Sequence, residues 1–124
     1  MKLMFVSDIH GSYYYLNKAL EAYYNEKPDK LILLGDLLYH GPRNDLPKEY
    51  APKKVIPVLN DLKNTIIAVR GNCDAEVDQM VLDFPMMADY ATIDVDGHHF
   101  FLSHGHLFNE ENVPNLNEGD IFVY

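Results

Sequence analysis

Tryptophan is absent from these 124 residues, and cysteine occurs once, at Cys73. A single thiol excludes an intrachain disulfide and any zinc module built on cysteine pairs. Cations are scarce: 10 Lys plus Arg face 19 Asp plus Glu, a formal net charge of −9. With no basic excess to neutralise backbone phosphates, stable nucleic-acid binding is not expected. Long apolar runs are missing, since the longest, such as Leu31 to Leu34, fall far short of a bilayer span. No membrane partner is expected. The segment Met1 to Ser7 has neither a long apolar h-region nor a small-residue cleavage site, so the expectation is a soluble protein of the cytoplasm. Repeats, low-complexity stretches and linkers are lacking too, which points to one domain over 1–124. No Gly-x-Gly-x-x-Gly or Gly-x₄-Gly-Lys loop occurs, which argues against a nucleotide-binding module without chemistry.

What is present fits an ordinary globular chain, with 48% hydrophobic and 23% charged residues. Leu3 to Val6 reads as a buried strand that stops at Ser7-Asp8. Ser12 is placed to cap a helix running to about Asn25, with Leu16, Ala19, Leu20 and Tyr23 at helical spacing. Leu31 to Leu34 reads as a second buried strand. A polar, proline-broken stretch from His40 to Pro52 follows. A helix from about Pro52 to Lys63 places Val55, Ile56 and Leu59 on one face, with Pro57 as an irregularity. Thr65 to Val69 reads as a third buried strand. Asp96-Gly97 between 91–95 and 98–102 predicts a hairpin, and Ile121 to Tyr124 another strand.

The first half therefore alternates strand and helix, the α/β pattern of a parallel sheet. Its strands end in Asp8-Ile9-His10, Gly35-Asp36 and Gly71-Asn72, and the later hairpin ends in Ser103-His104-Gly105-His106. Strand ends on one edge of such a sheet converge on a crevice where ligands bind. Extended backbone would turn Asp8 and His10 to the same side. Alone, each motif is ordinary turn chemistry or a surface pair. Together they supply carboxylate, carboxamide and imidazole donors without thiolate, a set suited to Mn²⁺, Fe, Zn²⁺ or Ni²⁺. Asp36, with two oxygens, could bridge two cations as two-metal hydrolases require.

Asp8-Ile9-His10-Gly11, Gly35-Asp36, Gly71-Asn72 and His104-Gly105-His106, in this order, resemble the signature of the calcineurin-like metallophosphoesterases. The resemblance implies a four-layer α/β/β/α sandwich, with two mixed sheets packed together and helices outside. It implies two divalent metal ions, Mn²⁺ foremost, with Zn, Fe or Ni as alternatives. Asp8 and His10 would bind the first metal, Asp36 would bridge, and Asn72 and His104 would bind the second. The implied activity is hydrolysis of a small phosphodiester by a metal-bound hydroxide attacking phosphorus in line. Acidity is no obstacle to such a substrate, because the cations offset its charge.

Two departures stand out. Many members have His after Gly-Asn, where this sequence has Cys73. Cys73 and His106 are the candidate catalytic residues, and His40 and Arg43 the candidate substrate contacts, each weighed against a structural or solvent-exposed role. Asp74 reads either as support for the site or as a cap for the next helix. The family signature also closes with Gly-His-x-His, and the sequence given stops before it, which implies a domain lacking its last strands. The expectations that follow are a fragment with impaired activity or a non-catalytic scaffold as alternatives to the enzyme, and self-association through exposed strand edges.

Overall fold

A computed structural model describes residues 1–124. The chain runs β1 (Leu3–Val6), α1 (Tyr13–Glu26), β2 (Lys30–Leu33), α2 (Pro52–Asp61), β3 (Ile66–Ala68), α3 (Glu76–Val81), β4 (Tyr90–Val95), β5 (His98–Ser103) and β6 (Ile121–Val123). Ser12 caps α1 as expected, its hydroxyl oxygen accepting the N–H of Tyr15 at 3.2 Å. Lys27 stops that helix by adopting φ 48° while its N–H reaches the Tyr23 carbonyl. Pro52 opens α2 where a missing N–H is harmless. The helix continues through Pro57 but ends at Asp61, short of the expected Lys63. Lys63 to Thr65 form a 3₁₀ turn instead, so β3 begins at Ile66.

Two three-stranded sheets form. The first is wholly parallel over these strands, with β2 in the centre. The second is mixed: β4 and β5 make an antiparallel hairpin and β6 adds parallel to β5. Asp96 (φ 52°) and Gly97 (φ 82°) close the hairpin with both central residues in the left-handed region, the conformation that Asp-Gly predicts.

Strand alternation explains how the layers stack. Leu31 and Leu33 of β2 face α1 and α2, packing with Leu16, Val55 and Leu59. Ile32 of β2 and the following Leu34 face the second sheet and pack with Leu102 of β5 and Val69. β2 is thus apolar on both sides, which is why it reads as a continuous hydrophobic run. Helices, first sheet and second sheet make three of the four expected layers; residues 104–124 carry no helical periodicity and no helix covers the outer face of β4–β6. That face presents an aromatic cluster, with Tyr90 stacked on Phe101 at 4.9 Å between centroids. No helix is long and apolar enough to cross a membrane.

Candidate metal centre

The loops after β1, β2, β3 and β5 meet at one edge of the two sheets. Asp8 (φ 59°), His10 (φ 49°) and Asp36 (φ 57°) all have positive φ, unusual for residues with a Cβ. Extended backbone is therefore not what brings Asp8 and His10 together, contrary to the expectation from strand alternation. The N–H groups of Asp8, His10 and Gly11 instead donate to the carbonyls of Gly35, Asp36 and Leu37 at 3.0, 2.9 and 2.8 Å. This ladder holds the first loop against the second and over-determines the strained torsions.

Asp36 is the hub. It is 2% exposed. Its Oδ2 lies 3.3 Å from His104 Nε2 and 3.6 Å from His10 Nε2. Its Oδ1 accepts the Cys73 N–H at 2.8 Å. Asp8 Oδ1 lies 3.2 Å from His10 Nε2, and Asn72 Oδ1 lies 3.0 Å from His104 Nε2. Asp8, Asp36 and His104 form one donor group and His10, Asp36 and Cys73 another, each within 4.8 Å.

Both imidazoles are oriented for ligation. His10 Nδ1 sits 2.8 Å from the Tyr39 carbonyl and His104 Nδ1 sits 2.7 Å from that of Leu34. A ring that donates Nδ1–H to a carbonyl directs its Nε2 lone pair at the cluster, the arrangement that tunes metal-bound histidines. The donor set thus fits divalent cations: hard oxygens plus imidazole, converging on one carboxylate with two oxygens.

Protons and hydrogen bonds set the charge of these groups. Burial works against ionised Asp36, but hydrogen bonds from His104 and the Cys73 N–H, together with the charge on both histidines, hold its carboxyl below the usual range. The hydrogen bond to Asp36 pushes His104 up to about 9 despite burial. Burial, then the Asp36 charge, raises the Cys73 thiol, which stays protonated at neutral pH. Burial, then the charge on His104, lowers His106, which stays neutral.

Two glycines permit this closeness. A Cβ on Gly71 would land on the Asp36 carboxylate, and one on Gly35 would strike the backbone of Gly71. Asp74 ties the same loops together. Its Oδ2 accepts the N–H groups of Asp36 (2.8 Å) and Gly71 (2.7 Å), and its Oδ1 that of Leu37 (3.1 Å). Of its two readings from sequence, this is support for the site. The N–H of Ala75, just before α3, goes to Asp78 instead.

The remaining candidates lie around this cluster. His106 stands beside His104, ring centroids 5.4 Å apart, with both ring nitrogens buried and unpartnered. His40 lies between Tyr39 and Tyr50, with a buried and unpartnered Nδ1. Arg43 lines a cavity that includes Asn72 and Cys73. Sequence reasoning missed Tyr39, whose carbonyl orients His10 and whose side chain lines that cavity. A carbonyl leaves no residue-type signal, so nothing in the sequence marked it.

The family described as calcineurin-like phosphoesterase matches residues 1–123. Phosphodiesterase YfcE of Escherichia coli (strain K12) is 52% identical over all 124 residues, which cover 67% of that protein. The solved structure of this E. coli phosphoesterase superposes with a TM-score of 0.94 over 97% of this chain and 66% of that one. A solved archaeal phosphodiesterase, 27% identical, gives a TM-score of 0.60 over 86% of this chain and 60% of that one. The chain spans about two thirds of the length of its E. coli relative.

Proposed function

This chain belongs to the calcineurin-like phosphoesterases, and from that premise we propose that it acts as a metal-dependent phosphodiesterase on small substrates. The observation that carries the reading is the convergence of His10 Nε2 and His104 Nε2 on the Asp36 carboxylate, with each Nδ1 held by a backbone carbonyl. Asp8 and His10 would hold one divalent cation, Asn72 and His104 a second, and Asp36 both. Mn²⁺ is the ion we expect there, and the cytoplasm the compartment. Such ions, when bound, supply positive charge to phosphoryl oxygens and acidity to water.

The protein's own groups position and move protons. Hydrolysis breaks one ester P–O bond, forms another from water, and transfers a proton to the departing alkoxide. His104 Nε2 holds its proton toward Asp36, and would have to give it up to serve as a ligand to a cation there. Cys73, protonated beside His10 and Asp36, is positioned to donate a hydrogen bond to a phosphoryl or leaving-group oxygen. His106, neutral and unpartnered, is available to accept the proton that water loses. His40 and Arg43 border the approach as substrate contacts.

The test is Asp36→Asn. It should abolish Mn²⁺ binding by calorimetry and hydrolysis of bis(4-nitrophenyl) phosphate together. Near-wild-type turnover in that variant would overturn the two-metal arrangement, and an inert wild-type protein with Mn²⁺ present would favour the scaffold reading.

A further inference from the structure

Beside the donor cluster opens a cavity of about 440 Å³, which shares Asn72 and Cys73 with it. That volume is within the range of small-molecule sites and exceeds what a phosphoryl group alone requires. Its opposite wall is the loop after β2, with Tyr39, Arg43 and Asn44. Polar side chains line both walls and Tyr39 adds one aromatic ring, and the volume is enough for a ring- or sugar-sized group.

The charge inside follows from the lining groups. Asp74 is the one carboxylate there, and both its oxygens accept backbone N–H groups. Cys73 carries a neutral thiol. The chain has two arginines. Arg70 is engaged, its Nε and Nη2 donating to Asp89 Oδ1 at 2.9 and 2.7 Å. Arg43 is exposed and makes no hydrogen bond or ion pair. In a protein of net charge −9, an unengaged guanidinium on the wall of a cavity next to the candidate centre offers an anion a cationic partner. Its planar fork matches phosphate oxygens in a way that lysine does not.

We infer that this cavity receives one ester arm of the substrate, and that Arg43 selects an arm ending in a second phosphate. The preferred substrate class is then a phosphodiester with an additional phosphomonoester, in place of a neutral diaryl or dialkyl diester. This rests on the phosphodiesterase reading above and adds to it the chemistry of the arm.

The experiment uses the Mn²⁺-loaded chain and a matched pair of substrates. Both are 4-nitrophenyl phosphodiesters of ethylene glycol, one ending in a methyl ether, which cannot cyclise onto the diester phosphorus, and one in a phosphate. Wild-type kcat/KM should favour the phosphate-ended member by about tenfold or more, the scale of one charge-assisted hydrogen bond. Within Arg43→Ala the ratio should fall to about one, and Arg43→Lys should retain part of it. Because the ratio is taken within each variant, a general loss of activity cancels. Equal rates for the pair in wild type, or a preference that survives Arg43→Ala, overturns the inference. If neither diester is hydrolysed, the phosphodiesterase reading fails by itself. Calorimetry with ethylene glycol bisphosphate against 2-hydroxyethyl phosphate then decides the cavity. Tighter binding of the bisphosphate that depends on Arg43 supports it; a difference unchanged in Arg43→Ala, or no difference, overturns it.

Discussion

The carboxylate of Asp74 meets the backbone of Asp36, not its side chain: Oδ2 accepts the Asp36 N–H at 2.8 Å while Oδ1 accepts the Leu37 N–H at 3.1 Å. The same Oδ2 takes the Gly71 N–H at 2.7 Å. One buried anion thus fixes the torsion at Asp36 and the spacing between the loops after β2 and β3.

Asp74→Asn replaces an acceptor oxygen with an N–H₂ group that faces an N–H donor. A buried hydrogen bond to a charged group is worth about 1.5–3 kcal/mol, and at least one such bond is lost. Denaturant unfolding should record a loss of about 2–3 kcal/mol, and Mn²⁺ titration should show weaker binding, although Asp74 is itself no donor to the cation. Unchanged metal affinity in a folded variant would mean that the loop spacing does not matter.

Gly71→Ala puts a methyl group against the Asp36 carboxylate. Overpacking of this kind costs about 1–3 kcal/mol, and here the group displaced is the hub of the centre. Gly119, with φ 90° and open space around it, is the control: alanine there meets backbone strain alone. Thermal unfolding should fall in both variants, whereas metal binding should be lost only in Gly71→Ala.

Ser12 is wholly buried; its hydroxyl oxygen accepts from the Tyr15 N–H and its proton goes to the Lys48 carbonyl. Ser12→Ala removes the cap of α1 and leaves a carbonyl of the long loop unpaired. The expected cost is about 1–2 kcal/mol in chemical denaturation. Ser12→Thr, which keeps the hydroxyl, should recover part of it.

The Asp36–His104 pair gives the metal-free protein a pH signature. His104 is raised from 6.5 to about 9, so its contribution is complete below pH 6.5 and disappears as pH rises through about 9. Asp36 is lowered from 3.8, so its contribution is present above that value and lost as pH falls through its folded pKa. The melting temperature of chelator-treated protein, taken relative to His104→Gln, should therefore form a plateau at mildly acidic pH and decline toward pH 9. A difference that grows with alkalinity would contradict the pairing.

The apolar runs, the Ser12 cap and the Asp96-Gly97 hairpin were legible because each is encoded locally by residue type and period. The candidate donors Asp8, His10, Asp36, Asn72 and His104 stand out in the sequence as polar residues at strand ends, and their side chains lie together in the structure. The backbone that aims them was not. Positive φ at Asp8, His10 and Asp36 comes from amides of one loop bonding to carbonyls of another, a relation with no side-chain signature. The same holds for the carbonyls of Leu34 and Tyr39, which orient the imidazoles. Short-range signals placed the end of α2 two residues late, since the 3₁₀ turn at Lys63 to Thr65 forms where the chain must enter β3.

His104 follows β5 in the second sheet, yet its Nδ1 bonds to Leu34 and its Nε2 faces Asp36, both after β2 in the first. The centre is therefore also a clasp between two layers that otherwise touch through apolar side chains such as Ile32 and Leu102. A cation held from both sides would have to be released before the sheets could slide apart, and at a hundredfold excess over its Kd it would add about 2.7 kcal/mol to the stability of the fold. Chelation and mechanical separation of the layers would then be two routes to the same opening.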